Sequence, residues 1–236
     1  MADLHGSTIL IVGATGGLGR EIARLLAEAG ATLVLSARDP HDLSALGLPG
    51  TGIAADLTDP AAITRLVDQA VSVTGHLDGV VVAAGVVAFG PAETWRPDVL
   101  DTLITVNTAA PILLLAAAHD ALAASAVAGR SPFLLTLSGL VSEKPTAYLA
   151  AYSASKAGVA AFVAAASREV RRAGIRLIDA RPGHTETPLA SHPLAGTAPA
   201  LPPGLNPTAV AERIVRAIVD GERDLPSTAF VPSGPA

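Results

Sequence analysis

Tyr152-Ser153-Ala154-Ser155-Lys156 sets a phenol and an ammonium four residues apart, so on a helix they lie one above the other on one face. A phenol with the ordinary pKa of ~10 is a poor base at neutral pH. An ammonium ~4 Å away, at an effective dielectric of ~20, favours the phenolate by roughly 4 kcal/mol, about three pKa units before desolvation opposes it. Such a tyrosine could exchange a proton with a substrate oxygen while a redox cofactor exchanges a hydride. The pair alone is equally consistent with a tyrosine packed at a helix start and a lysine whose stem lies along apolar surface. Only seven residues are aromatic, and Tyr148 and Tyr152 are the only tyrosines, so an aromatic at a site stands against a low background.

A second constellation is Gly13-Ala14-Thr15-Gly16-Gly17-Leu18-Gly19, placed between an apolar run and a helical pattern. Its glycines permit positive φ and close backbone approach directly before a helix N-terminus, which can hold a pyrophosphate; a purely structural tight turn has the same composition. The next strand ends Ser36-Ala37-Arg38, with no acid at its tip to accept from a ribose hydroxyl and a guanidinium just beyond. Paired charge-assisted hydrogen bonds from Arg38 suit a 2′-phosphate, which favours NADP(H) over NAD(H); the alternative is a solvated loop charge. Asp56-Leu57 ends the third strand, where the aspartate could equally cap a turn, and Asn107 taken alone is a polar residue interrupting a helix.

Positioning these groups requires alternating elements. Thr8-Ile9-Leu10-Ile11-Val12 reads as a strand opening through the glycines into a helix over residues 18–29. Thr32-Leu33-Val34-Leu35 is the second strand, and Asp39-Pro40 starts a helix with Asp as N-cap and Pro at the first helical position. Asp59-Pro60 repeats the device for residues 61–73, after a short strand at Gly52-Ile53-Ala54-Ala55. Gly79-Val80-Val81-Val82-Ala83 follows, then a long helical region to residue 126 broken near Asn107 and Pro111, then the strand Phe133-Leu134-Leu135-Thr136-Leu137. Residues 150–172 read as one helix, Ile175-Arg176-Leu177-Ile178-Asp179 as a strand, 208–220 as a helix, and Thr228-Ala229-Phe230-Val231 as a final edge strand. Residues 182–207 show no period and read as a surface loop or lid. The pattern predicts an α/β fold: one Rossmann-type domain over residues 1–236, a doubly wound parallel sheet with helices on both faces and 188–206 as a substrate loop.

Composition narrows the function classes. The chain has 236 residues, half of them apolar, ample for one buried core. Cysteine is absent, which removes disulfides, thiolate nucleophiles and Cys-ligated metals. A net charge of -5 without blocks of like charge gives no nucleic-acid footprint. Mean hydropathy is +0.48, but the most apolar stretch, residues 109–118, meets His119 and Asp120 short of the ~20 residues that span a bilayer. Met1-Ala2-Asp3-Leu4-His5-Gly6 lacks a signal-peptide pattern, so the expectation is a cytoplasmic protein off the membrane. No GxSxG elbow occurs, the six histidines lack ligand spacing such as HExxH, and Ser153-Ala154-Ser155-Lys156 satisfies SxxK without its companion segments. A hydrolase and a metal site are both disfavoured.

The chain resembles the classical short-chain dehydrogenase/reductase family over nearly its full length. Glycines at 13, 17 and 19 in a GxxxGxG turn, Asp56, Ala84-Gly85, Asn107, the Tyr152/Lys156 pair and Pro182-Gly183 occur in family order. The resemblance implies that Tyr152 is the general acid/base, that Lys156 binds the nicotinamide ribose and lowers the tyrosine pKa, and that Asn107 kinks its helix and holds a water in a proton relay. It places Gly13, Thr15, Gly16, Gly17, Leu18 and Gly19 at the pyrophosphate, Asp56 and Leu57 beside the adenine, and Ala84 and Gly85 on the cofactor. Pro182, Gly183, Thr185 and Thr187 would meet the carboxamide.

Three departures stand out. Val82-Ala83-Ala84-Gly85 replaces the family's Asn-Asn-Ala-Gly, and Val12 stands where a Thr often precedes the first glycine. The catalytic serine position, thirteen before the tyrosine, is Gly139; a one-residue difference in the loop 140–151 would bring Ser138 into register, with Ser142 a more distant alternative. Loss of such a donor could cost ~10²-fold or more in rate. The implied activity is hydride transfer between NADP(H) and a carbonyl/alcohol substrate. The substrate is expected to be small and uncharged, because residues 188–204 carry few charges; His184 and Glu186 either touch it or are solvated. Alanine-rich helix faces suit a homodimer or homotetramer, as in the family, or packing on the chain's own sheet. The alternative class is a nucleotide-binding regulatory or scaffold protein of the same fold with weak chemistry, which Gly139 keeps open.

Overall fold

The structure, a computed structural model, describes residues 4–230. Seven strands form one parallel sheet in the order β3-β2-β1-β4-β5-β6-β7: β1 Thr8–Val12, β2 Thr32–Ala37, β3 Thr51–Ala54, β4 Gly79–Val82, β5 Phe133–Leu137, β6 Arg176–Ala180 and β7 Asp224–Leu225. β1, β4, β5 and β6 are buried on both faces, which is why they read as unbroken apolar runs rather than alternating ones. The order reverses between β1 and β4, and such a switch point opens a crevice at the carboxyl ends of the strands.

Helices cover both faces. On one, α1 Gly17–Glu28 and α7 Pro207–Asp220 bury Ile22, Leu26, Ile214 and Ile218 against Ile9, Ile11, Leu135 and Ile178. On the other, α3 Pro60–Thr74, α5 Ala110–Val127 and α6 Ala150–Val170 pack on Leu10, Val80, Leu134 and Leu177. Both Asp-Pro starts behave as expected. Asp39 accepts from His41 N (2.8 Å) to open α2 Pro40–Ala45, and Asp59 accepts from Ala61 N (2.9 Å) to open α3.

The helical region around Asn107 is not cut. α4 Pro97–Ile104 runs into one π-helical segment, Thr105–Ala109, and on into α5, where Pro111, which has no N–H to donate, follows directly on the wider π turn. Pro97–Val127 is long and apolar enough to cross a membrane by length and composition, yet Leu103, Ala110, Leu114, Ala118 and Leu122 are wholly buried in the protein. The last strand is also placed differently. β7 is Asp224–Leu225, and Ser227–Phe230 forms a 3-10 turn; Val231, like Met1, Ala2 and Asp3, lies outside the described residues. Pro226 ends the run before it can reach the stretch that sequence pattern favours.

Candidate active site

The glycine turn lies at the switch point. Gly13 and Ala14 donate to Ser36 O (2.8 and 2.9 Å) on one side, while Ala83 and Ala84 donate to Val12 O (2.9 Å each) on the other. Gly13 has φ +87°, and a Cβ there would overlap the backbone of Ala84; a Cβ at Gly19 would overlap Gly13 O. These two glycines are required by close approach. Gly16, the N-cap of α1, offers no side-chain cap and the first turn holds no acid, so the α1 N–H groups and the positive end of its dipole remain open to an anion. A Cβ on Gly17 would come within 2.6 Å of Thr187, which brings the 182–187 segment onto the turn; Thr15 is half-buried beside it and Leu18 anchors α1 in the core. A cradle of this shape fits a dinucleotide.

Ala84-Gly85 connects this turn to the acid/base pair. Ala84 touches Gly13, and a Cβ on Gly85 would lie 3.3 Å from both Asn107 Oδ1 and Lys156 Nζ. Asn107 is buried: its Oδ1 accepts from Val86 N (2.9 Å), and its Nδ2 donates to Val86 O (2.8 Å) and Ser155 Oγ (3.0 Å). It therefore clamps the chain after β4 to α6 from the π segment. Lys156, 7% exposed, donates to Leu137 O (2.7 Å) and lies 5.9 Å from the centre of the Tyr152 ring.

That separation bears on the expected ionisation. Burial pushes the Tyr152 phenol up to about 12 and the Lys156 ammonium down to about 8, the latter opposed by the charge of Asp179. Desolvation outweighs the ammonium's pull on the phenol, so Tyr152 is a protonated donor at neutral pH. Its half-buried ring joins two small apolar clusters, one with Ala88, Val99 and Leu103 and one with Val87, Phe89 and Leu149.

The hydroxyl expected beside Tyr152 is arranged otherwise. Strand alternation puts Thr136 and Ser138 on the α6 face of β5, next to Asp179 of β6, which pairs with Thr136. Ser138 is 0% exposed, and its Oγ donates to Asp179 Oδ2 (2.7 Å), so it is committed beneath the site rather than presented to a carbonyl. Ser142 Oγ is half-buried and donates to Gly139 O (2.7 Å). Gly139 has φ +72° and ψ +166°, a conformation essentially confined to glycine, so a serine in strict register is excluded by the backbone although Pro182 O stands 3.6 Å from a Cβ there. Gly139→Ser is expected to lower the unfolding free energy by about 1–3 kcal/mol in a urea titration. Unchanged stability would show that this backbone relaxes freely.

Other residues take defined places. Arg38 is exposed just past β2 and makes no hydrogen bond or ion pair among the described residues. Asp56 accepts from Thr58 N (2.9 Å) and Thr58 Oγ1 (2.8 Å), capping the turn into α3, and Leu57 packs on the core. Pro182 O accepts from Leu140 N (2.9 Å), and Gly183 O from Thr185 Oγ1 (3.0 Å), fixing the segment that ends at Thr187. His184 and Glu186 hold the base of the loop: Glu186 accepts from Gly204 N (2.6 Å), and Thr185 bridges to Leu205. The loop's tip is tied to the chain after β4 by Leu194 N to Val87 O (2.8 Å) and Phe89 N to Ala195 O (2.9 Å). Sequence reasoning missed Val87 and Phe89, for which the apolar Val86-Val87-Ala88-Phe89 run was the signal, and Asp179, which carried none.

The family model for short chain dehydrogenases matches residues 7–195. A versicolorin reductase from Emericella nidulans is 34% identical over 168 residues, 68% of this chain and 62% of that protein. A metagenomic short-chain oxidoreductase solved in complex with NADP is 30% identical, with a TM-score of 0.78 over 94% of this chain and 97% of that one. A 3-ketoacyl-(acyl-carrier-protein) reductase from Brucella melitensis, complexed with NADH, shares the fold with a TM-score of 0.85 at 24% identity, covering 97% of this chain and 100% of that one.

Proposed function

The chain belongs to the short chain dehydrogenase family, and from that premise we propose that it is an NADP(H)-dependent oxidoreductase interconverting a carbonyl and an alcohol, with residues 1–236 serving as one dinucleotide-binding and catalytic domain. The observation that carries this is the double contact of Ala84-Gly85, with the glycine turn on one side and with Lys156 and Asn107 on the other. One dipeptide thus sets the distance between the phosphate cradle and the acid/base pair. Bound there, the nicotinamide supplies or accepts a hydride. Gly13, Thr15, Gly16, Gly17, Leu18 and Gly19 hold the pyrophosphate, Asp56 and Leu57 border the adenine, and Ala84, Gly85, Pro182, Gly183, Thr185 and Thr187 shape the nicotinamide end.

Tyr152 donates the proton to the carbonyl oxygen in the reductive direction and takes it back in the oxidative one, with Lys156 on the ribose beside it. Burial keeps the phenol protonated at neutral pH, which suits reduction. Asn107 orders the chain after β4 and the water relay to Lys156, while Ser138 acts from below through Asp179 rather than on the substrate. The apolar surroundings of Tyr152 and the alanine- and proline-rich loop 188–206 fit a small uncharged substrate. Pro97–Val127 serves as a core helix of a cytoplasmic protein, and half-exposed Leu100, Ile104 and Leu113 along it suit a homo-oligomer.

Arg38 selects NADP(H) through the 2′-phosphate. Arg38→Gln is expected to raise the KM for NADPH about ten- to a hundredfold and leave that for NADH nearly unchanged. The deciding assay is NADPH oxidation against ketones, aldehydes and quinones with NADH alongside; a preference for NADH would sink the cofactor assignment. The committed Ser138 and the Gly-only backbone at Gly139 favour one second reading, a nucleotide-binding regulatory protein of the same fold. It predicts NADPH binding with no turnover across the panel.

A further inference from the structure

Asp179 is a buried carboxylate on β6, on the same face as apolar Leu177, and it faces the helix that carries Tyr152 and Lys156. Its Oδ1 accepts from Thr136 Oγ1 (2.9 Å), and its Oδ2 accepts from Ser138 Oγ (2.7 Å) and from Arg181 Nη1 (2.9 Å). The two hydroxyls flank Leu137, whose carbonyl receives the Lys156 ammonium at 2.7 Å. Three consecutive residues of β5 and its end therefore bring Asp179 and Lys156 to the same few atoms of backbone.

We propose that Asp179 is a positioning residue for the acid/base pair: locked by Thr136, Ser138 and Arg181, its carboxylate is the buried counter-charge that holds Lys156 as an ammonium on Leu137 O, ready for the cofactor ribose and for Tyr152. The inference rests on the proposed roles of Tyr152 and Lys156. A lone ammonium in this setting is costly, because burial drives it toward the neutral amine, and an opposite charge nearby offsets that cost. The direction of the Lys156 shift agrees, with burial lowering it and Asp179 raising it.

The charged surroundings are few and separable. Tyr152 lies on the same helix as Lys156, Arg181 on the continuation of β6, Glu143 on the turn after β5 and Asp224 on β7. Arg181 pairs with Glu143 and with Asp224 (2.6 Å) as well as with Asp179, so Asp179 shares this guanidinium with two other carboxylates. Arg176 lies on the opposite face, bonded to carbonyls of α7. The carboxylate thus retains net negative character toward α6, which the hydroxyls of Thr136 and Ser138 stabilise without adding charge.

The chain contains two lysines, Lys144 and Lys156, so lysine-labelled protein gives two side-chain NMR signals, with exposed Lys144 as the internal reference. Titrating the full chain without cofactor or substrate, we expect Lys156 to lose its proton near pH 8 in the wild type. In Asp179→Asn the midpoint should fall by about one pH unit or more. In Arg181→Gln, which removes a competing cation, it should rise. Opposite signs are what charge coupling demands and what a purely structural disturbance would not give. If Asp179→Asn does not fold, Arg181→Gln decides alone, an upward move supporting the proposal. Lys156 titrating at an unchanged pH in the folded variants overturns it. Coupled titration in a protein that turns over nothing would instead fault the oxidoreductase reading and leave the counter-charge standing.

Discussion

Tyr152→Phe is expected to lower kcat for carbonyl reduction by about 10²–10⁴-fold while NADPH binds as before. The substitution removes one oxygen and leaves the ring that joins the Val87/Phe89/Leu149 and Ala88/Val99/Leu103 clusters, so packing at the site is kept. What is lost is the proton that the carbonyl oxygen must receive as it becomes an alkoxide. Burial holds that phenol near 12, well above neutral pH, so in the wild type the donor keeps its proton through neutrality and its own ionisation imposes no pH dependence on the reductive rate there. On the proposed reading, cofactor affinity depends on the glycine turn, Arg38 and Lys156, none of which the phenol oxygen touches through a hydrogen bond. Single-turnover reduction and NADPH fluorescence titration measure the two quantities separately. Near wild-type turnover in the variant would mean the proton comes from elsewhere, with half-buried Ser142 the first candidate.

Local chemistry is what the sequence makes legible. The Asp39-Pro40 and Asp59-Pro60 starts, the glycine turn before α1 and the four-residue spacing of Tyr152 and Lys156 each depend on neighbours within one turn, and each lies where expected. Asn107 was visible as a polar residue in an apolar helix, although its form there, a π segment rather than a break, depends on the clamp to Val86 and Ser155 across 21 and 48 residues. The fate of Ser138 was not legible. It is decided by the register of β5 on β6, which places Asp179 beside Thr136, and nothing within ten residues of Ser138 announces a carboxylate 41 positions away. The loop-base contacts of His184 and Glu186 were illegible for the same reason: their neighbour Gly204 returns only after the whole loop. By residue type Gly139 is only a lost hydroxyl, whereas its positive φ makes it a backbone requirement.

Lys156→Met should make the protein more stable at neutral pH and remove a pH dependence that the wild type shows. Burial lowers the folded-state pKa of Lys156 to about 8, against 10.5 for the ordinary side chain. Between those values the unfolded chain binds a proton that the folded one does not, so wild-type stability rises as pH increases from about 8 to 10.5, by up to about 3 kcal/mol in total. Tyr152 acts with the opposite sign, because its folded pKa near 12 exceeds the ordinary 10; the unfolded phenol ionises first, and stability falls as pH rises from 10 towards 12. The two contributions leave a rise from pH 8 to 10 that Lys156→Met should abolish. At pH 7 the methionine escapes the desolvation cost but forfeits the hydrogen bond to Leu137 O, for a net gain of about 2 kcal/mol. Urea unfolding of both proteins at pH 7, 8 and 10 reads the effect directly, and parallel curves would show that burial does not depress this lysine. Greater stability together with lost turnover in this variant would mark Lys156 as a group retained for chemistry against the interest of the fold.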